Sequence, residues 1–214
     1  MLNVASFTFN PFQENTFVVH DGERAILIDP GCCDTAEERE LEAWFDVHGL
    51  TPERLVLTHA HIDHVLGCAW ASDRYGLKPE LHMADLQLLR MAPRQGQLYG
   101  VPCQPAPDPE RFIAEGERIA LGDHALRVLF VPGHAPGHIA LYAEAERFVI
   151  AGDVLFHGSI GRTDLPGGDF DILIKSIKEQ LFPLGDDVTV HCGHGPSTTI
   201  GRERRMNPFL KEIR

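Results

Sequence analysis

Apolar and polar positions alternate in three short runs at the start of the chain, Leu2 to Phe9, Thr16 to His20 and Arg24 to Ile28. Asp21 and Gly22 separate the last two as a hairpin turn, so the pattern predicts an antiparallel start. In "DPGCCDTAEERELEAWFDVHG" the period changes. Asp34 is a candidate cap, helical spacing runs across Leu41, Trp44, Phe45 and Val47, and Gly49 stops the helix. A strand is predicted over 55–58, a helix over about 65–75, a strand over 81–83 and a helix over 85–91. Residues 92–110 hold five of the fifteen prolines and little periodicity, which predicts a surface loop or lid. The second half repeats the order, with strands near 111–113, 125–131, 139–143 and 147–151, a helix over about 169–182, a strand over 188–192 and a short helical tail after Gly201. Strands outnumber helices, but the helices are regularly spaced. The expected fold class is α/β, a four-layer αββα sandwich of two mixed β-sheets with helices outside, rather than a doubly wound parallel sheet.

Composition narrows the picture. A chain of 214 residues with 43% apolar positions is expected to form one domain over 1–214 with a substantial core. Its net charge of −12, from 19 Lys and Arg against 31 Asp and Glu, works against a nucleic acid partner. No run of about 18 apolar residues predicts a membrane span, and the start does not read as a secretory leader. Five cysteines, two of them adjacent at Cys32 and Cys33, do not form a disulfide framework in a domain this large. The expected setting is the cytoplasm, with reduced thiols.

The chemistry is concentrated in "LTHAHIDH", which follows the apolar run Leu55 to Leu57. On a helix, His59 and His61 would project about 200° apart, whereas in an extended loop positions two apart point the same way. Asp63 and His64 would then face different sides, so two neighbouring ions use the four side chains more readily than one does. Three other apolar runs end in a similar way. "PGHAPGH" follows Val128 to Val131, "GDVLF" follows Phe148 to Ala151, and "HCGHGP" follows Val188 to Val190. Glycines allow sharp turns at strand ends, which can bring His134, Asp153 and His194 to one point.

These residues resemble the metallo-β-lactamase fold superfamily from the first strands to the last dozen residues. Its HxHxDH motif stands here as His59, His61, Asp63 and His64, followed in order by His134, Asp153 and His194. The resemblance implies one ion held by His59, His61 and His134, another by Asp63, His64 and His194, and Asp153 bridging them. "PGHAPGH", "GDVLFHGSIGRTDLPGGD" and "GHGPSTTIGRERRMNPFL" are most similar to the glyoxalase II group, the hydroxyacylglutathione hydrolases, in a form lacking the C-terminal helical domain. That implies a small-molecule thioester or ester substrate, glutathione-linked in the type reaction. All seven donors are nitrogen or oxygen, which suits Zn(II) and leaves Fe(II) or Mn(II) open. Water between two dications deprotonates readily, because one zinc alone lowers a water pKa from 15.7 to about 7. The expected nucleophile is therefore a metal-bridging hydroxide, with Asp63 and Asp153 as the catalytic carboxylates.

Other histidines and the thiols carry lesser expectations. His138, four residues after His134, is close enough to support a ligand, but the favoured reading is the start of a strand rather than a ligand. His20, His48, His82 and His124 are read as surface residues, and Cys192 as a small core residue. Arg162, nine residues beyond Asp153, is the substrate-binding candidate, since a fixed guanidinium can pair with a substrate carboxylate. The competing reading is a salt bridge to Asp164 or Asp169. Glyoxalase II enzymes carry a lysine and a tyrosine where this chain has Arg162 and Asp164. Rival readings within the superfamily are a mononuclear Fe(II) persulfide dioxygenase using His59, His134 and Asp153, and a lactonase. A β-lactamase would usually carry Cys or Ser at position 153. Outside enzymes, a non-catalytic metal-binding module would be signalled by loss of a ligand, and none is lost.

Overall fold

The alternating runs at the start become three antiparallel strands. In the computed structural model, which describes residues 1–211, these are β1 (Asn3–Phe9), β2 (Glu14–His20) and β3 (Ala25–Ile28). Helix α1 (Thr35–His48) follows. The Asp34 side chain accepts from the N–H groups of Ala36 and Glu37 at its start, and Gly49 closes it with φ of 65°. Next come β4 (Pro52–Val56), α2 (Cys68–Tyr75), β5 (Pro79–Glu80) and α3 (Leu86–Tyr99). Strands β3, β4 and β5 run parallel, completing a mixed sheet in the order β1-β2-β3-β4-β5.

The second half builds β6 (Arg118–Leu121), β7 (His124–Phe130), β8 (Ile139–Ala143) and β9 (Phe148–Gly152). A small hairpin of β10 (Leu155–Phe156) and β11 (Ser159–Ile160), then α4 (Phe170–Ser176), β12 (Thr189–Cys192), β13 (Thr198–Thr199) and α5 (Ile200–Met206) complete it. The second sheet has the order β13-β12-β9-β8-β7-β6, with β9 and β12 parallel and the other neighbours antiparallel.

Side-chain alternation explains the layering. In β3, Ile26 and Ile28 pack toward the second sheet, while Ala25 and Leu27 pack under α1 and α2 with Leu41, Phe45 and Ala71. In β9, Phe148 and Ile150 face the first sheet, while Val149 and Ala151 face α4 and α5 with Leu173 and Ile200. Strands buried on both faces lose the polar half of their alternation, and β3, β8 and β9 are buried along their whole length. Each fully buried Leu, Ile or Phe contributes roughly 1.5–3 kcal/mol of transfer free energy. The fold is the αββα sandwich of two mixed sheets, as expected from the strand and helix order.

Several boundaries differ from the sequence reading. Helix α3 runs through Pro93 to Tyr99, so the predicted loop over 92–110 begins only at Gly100. A proline inside a helix removes one backbone bond, and here burial of Leu89, Ala92 and Gly96 on one face outweighs that loss. The strands expected at 81–83 and 111–113 reduce to one bridge between Leu81 and Phe112, while β6 and the β10–β11 hairpin were not foreseen. The long helix predicted to 182 widens to π geometry over Ile177–Leu181. Among the described residues no helix is long and apolar enough to cross a membrane.

Strand direction places the chemistry at one edge. β7 and β9 flank β8, which is antiparallel to both, so they point the same way, and β12 is parallel to β9. The segments that follow all three therefore leave the second sheet at the same edge.

Candidate metal centre

Five histidines and two aspartates converge at that edge. His59 and His61 lie in the irregular segment after β4, and Asp63 and His64 on a 3₁₀ turn over Ile62–His64. His134 follows β7, Asp153 follows β9 and His194 follows β12. Gly152 precedes Asp153 with φ of 49°, where a Cβ would sit 2.5 Å from Thr58 Oγ1, so the turn that delivers Asp153 requires glycine. The side chains form two groups whose donor atoms lie within 4.8 Å of one another, His59 with His61 and His134, and Asp63 with His64 and His194. The 3₁₀ turn brings Asp63 and His64 onto one group, instead of pointing them to different sides as an extended loop would.

Asp153 joins the two groups. Its Oδ1 lies 3.4 Å from His64 Nε2, and its Oδ2 lies 3.4 Å from His134 Nε2 and 3.5 Å from His194 Nε2. Asp63 Oδ2 is 3.1 Å from His194 Nε2. Within the first group, His61 Nδ1 and His134 Nε2 approach to 2.8 Å.

The outer nitrogens of four ligand-type histidines are held by protein acceptors. His134 Nδ1 donates to the Arg162 carbonyl at 2.7 Å, and His194 Nδ1 lies 3.1 Å from the carbonyls of Phe12 and Gln13. His64 Nδ1 donates to Asp29 Oδ2 at 3.1 Å. Thr58 Oγ1 donates to the same Asp29 oxygen at 2.6 Å, which leaves it to accept from His59 Nδ1 at 3.1 Å. These partners place a proton on Nδ1 in each ring and turn each Nε2 inward.

Charge divides unevenly between the groups. Burial and neighbouring imidazoles hold His59 well below the usual histidine range, and burial with His134 nearby brings His61 down to about 4. Their lone pairs are therefore free at neutral pH. His64 and His194 behave oppositely. Burial opposes their charge, but Asp153 and Asp63 overcome it, raising His64 well above its usual value and His194 to about 10. Asp153 stays ionised despite burial because His64, His194 and His134 surround it.

The donor set fits a metal. His59 Nε2, His64 Nε2 and Asp153 Oδ1 are all buried without a hydrogen-bond partner. Unpaired buried polar atoms cost free energy, and three at one point of nitrogen and oxygen donors are what a cation would satisfy. The family model described as the metallo-beta-lactamase superfamily matches residues 9–194. The chain belongs to that superfamily. It is 39% identical to hydroxyacylglutathione hydrolase GloC from Haemophilus influenzae over 98% of each chain. The solved structure of BLEG-1, described as a B3 metallo-beta-lactamase, matches with a TM-score of 0.88 and 34% identity, covering 97% of this chain and 99% of that one. TTHA1623, solved in a di-iron-bound form, matches with a TM-score of 0.87 and 43% identity over 96% and 100%.

This metallo-beta-lactamase superfamily chain brings all seven expected ligand positions together. Arg162 lies beside them, but its Nε and Nη2 each bond Asp164 at 2.7 Å, the salt bridge that competed with substrate binding in the sequence reading. Its carbonyl, not its guanidinium, touches the histidines. His138 does begin β8 in effect, one residue before Ile139, but it also supports the centre. Its Nε2 accepts from the Asp153 N–H at 3.0 Å, and its ring stacks on His59 at 4.5 Å. Cys192 is buried as expected, and burial pushes the Cys32 and Cys33 thiols up, Cys33 to about 11. Both are poor nucleophiles in that state.

Sequence reasoning missed Asp29 and Glu14. Asp29 directly follows β3 with φ of 50° and is fully buried, accepting from the Thr58 N–H at 2.7 Å as well as from the hydroxyl and His64. Glu14 is also fully buried, 3.7 Å from His64 Nδ1. A carboxylate at the end of a wholly apolar strand was the available signal for Asp29. Glu14 has none, since it sits at a strand start where a solvated residue is ordinary.

Proposed function

We propose that this chain is a dinuclear metal hydrolase that cleaves a thioester of the S-lactoylglutathione type. The observation that carries the reading is Asp153, one carboxylate within 3.5 Å of imidazoles from both three-residue groups. His59, His61 and His134 would hold one divalent ion and Asp63, His64 and His194 the other, with Asp153 between them. Such ions supply Lewis acidity toward a carbonyl oxygen and lower the pKa of coordinated water. The di-iron form of TTHA1623 supports iron as readily as the donor types support zinc.

The remaining steps belong to the chain itself. The carbonyls of Arg162, Phe12 and Gln13 and the Asp29 carboxylate orient the rings, so no reorganisation is needed as charge develops. Asp63 lies 3.1 Å from His194 Nε2, and although burial opposes its charge, His64 and His194 hold its carboxyl below the usual range, so it stays an ionised donor of the second group. Arg162 keeps Nη1 outside its pairing with the exposed Asp164, so a substrate carboxylate can compete for it. Five free thiols, three of them buried, support a reducing compartment such as the cytoplasm.

His138→Phe keeps a ring against His59 but leaves the Asp153 N–H without its acceptor. Steady-state turnover is expected to fall about 10–100-fold with two ions still bound by elemental analysis.

The experiment that tests the reading is hydrolysis of S-lactoylglutathione by metal-loaded protein, followed by thioester absorbance with and without EDTA. Turnover that chelation abolishes supports it. Two bound ions with no thioester cleavage overturn the substrate, and one iron per chain with oxygen uptake on glutathione persulfide favours the dioxygenase. The BLEG-1 likeness supports a second reading, β-lactam ring opening, and a cephalosporin assayed beside the thioester decides between them.

A further inference from the structure

Asp85 is fully buried, and its carboxylate accepts from two backbone N–H groups and from none of the seven donor side chains. Its Oδ2 accepts from the Ala60 N–H at 3.1 Å, and its Oδ1 from the Gly137 N–H at 2.5 Å. Ala60 lies between His59 and His61. Gly137 lies between His134 and His138. The two loops that supply the first group of imidazoles are therefore held by opposite oxygens of one carboxylate.

From these contacts we infer that Asp85 is a positioning residue that sets the separation of the first-group ligand loops, and so the fit of the first ion. The inference rests on the two-ion reading but not on the thioester. A buried carboxylate bonded only to backbone amides is costly compared with an apolar residue of similar size. It sits just ahead of α3, with its own N–H closing the turn on the His82 carbonyl at 3.0 Å, so the contact also anchors that helix. Gly137 fits the same purpose. A Cβ there would sit 2.7 Å from Asp85 N and 2.8 Å from Cγ, so the loop can approach the carboxylate only without a side chain. The second group shares one of these loops but takes His194 from the segment after β12, which Asp85 does not touch.

Asp85→Asn preserves shape but forces an amide NH₂ against one of the two backbone N–H groups. Zn(II) affinity is measured by competition with a chromogenic chelator in two backgrounds, His64→Ala to disable the second group and His61→Ala to disable the first. In the His64→Ala background Asp85→Asn is expected to weaken zinc about 10–100-fold, and in the His61→Ala background to change it less than about twofold. Equal weakening in both backgrounds, together with a lower melting temperature of the metal-free protein, would mean a merely structural role and overturn the inference. Unchanged affinity in the His64→Ala background overturns it as well. If Asp85→Asn does not fold, Gly137→Ala, which presses on the carboxylate from the opposite loop, is judged by the same outcomes.

Discussion

Replacing Asp153 with asparagine is expected to lower thioester turnover by at least about a thousandfold and to reduce bound metal below two ions per chain. The substitution is nearly isosteric, so packing around Val154 and Ala151 is kept, and the change is electrostatic. The carboxylate lies 3.4 Å from His64 Nε2, 3.4 Å from His134 Nε2 and 3.5 Å from His194 Nε2, and is 7% exposed. In so dry a site a formal charge is worth far more than at the surface, and an amide cannot replace it for either ion. The metal-free protein changes too. Burial opposes the charge on His64 and His194, so without Asp153 both shift toward the neutral form, because this carboxylate supplies much of what holds them protonated. Elemental analysis, steady-state kinetics and histidine NMR titration read the three effects. A variant that keeps two ions and a tenth of the turnover would show that Asp153 does not join the two groups.

Removing His64 separates two ions from one. His64→Ala is expected to leave about one ion per chain and to cost on the order of 100–1000-fold in hydrolysis. The fold should survive. Asp29 loses one donor but keeps the Thr58 N–H at 2.7 Å and the Thr58 hydroxyl at 2.6 Å, so neither of its own oxygens is stranded. The first group keeps its holders, the Arg162 carbonyl on His134 and Thr58 on His59. A mononuclear iron enzyme built on His59, His134 and Asp153 would behave differently, keeping its single iron and its oxygen consumption. Circular dichroism checks the fold and elemental analysis counts the ions. Two ions retained, or unchanged hydrolysis, would remove His64 from the second group.

Comparison of the chain with its fold shows which features a linear pattern can carry. The 2.0 and 3.6 periods located β1 to β3, α1 and β7 to β9 closely, since each buries a regular stripe. They failed at α3, where Pro93 and Gly96 look like punctuation but the buried face of Leu89 and Ala92 keeps the helix going. They also failed at β6 and the short hairpin, because a two- to four-residue strand contains too few positions to display a period.

The same limit governs the centre. His59, His61, Asp63, His64, His134, Asp153 and His194 were legible because each is a ligand-type residue soon after an apolar run, the last three flanked by glycine, in the order of the family's motif. Asp29 and Asp85 were not, and His138 was legible only as a residue near enough to His134 to support a ligand. They act through hydrogen bonds to backbone amides or to another side chain 15 to 52 residues away, and such contacts impose no spacing and no residue pattern on the chain. By itself the sequence determined the layered fold and the inventory of donors, because burial and ligand chemistry are properties of individual side chains and their local periods. Which nitrogens turn inward, which carboxylate joins the two groups and what holds the loops apart were decided only by tertiary structure. Those properties depend on distances between strands whose order in the sheets differs from their order along the chain.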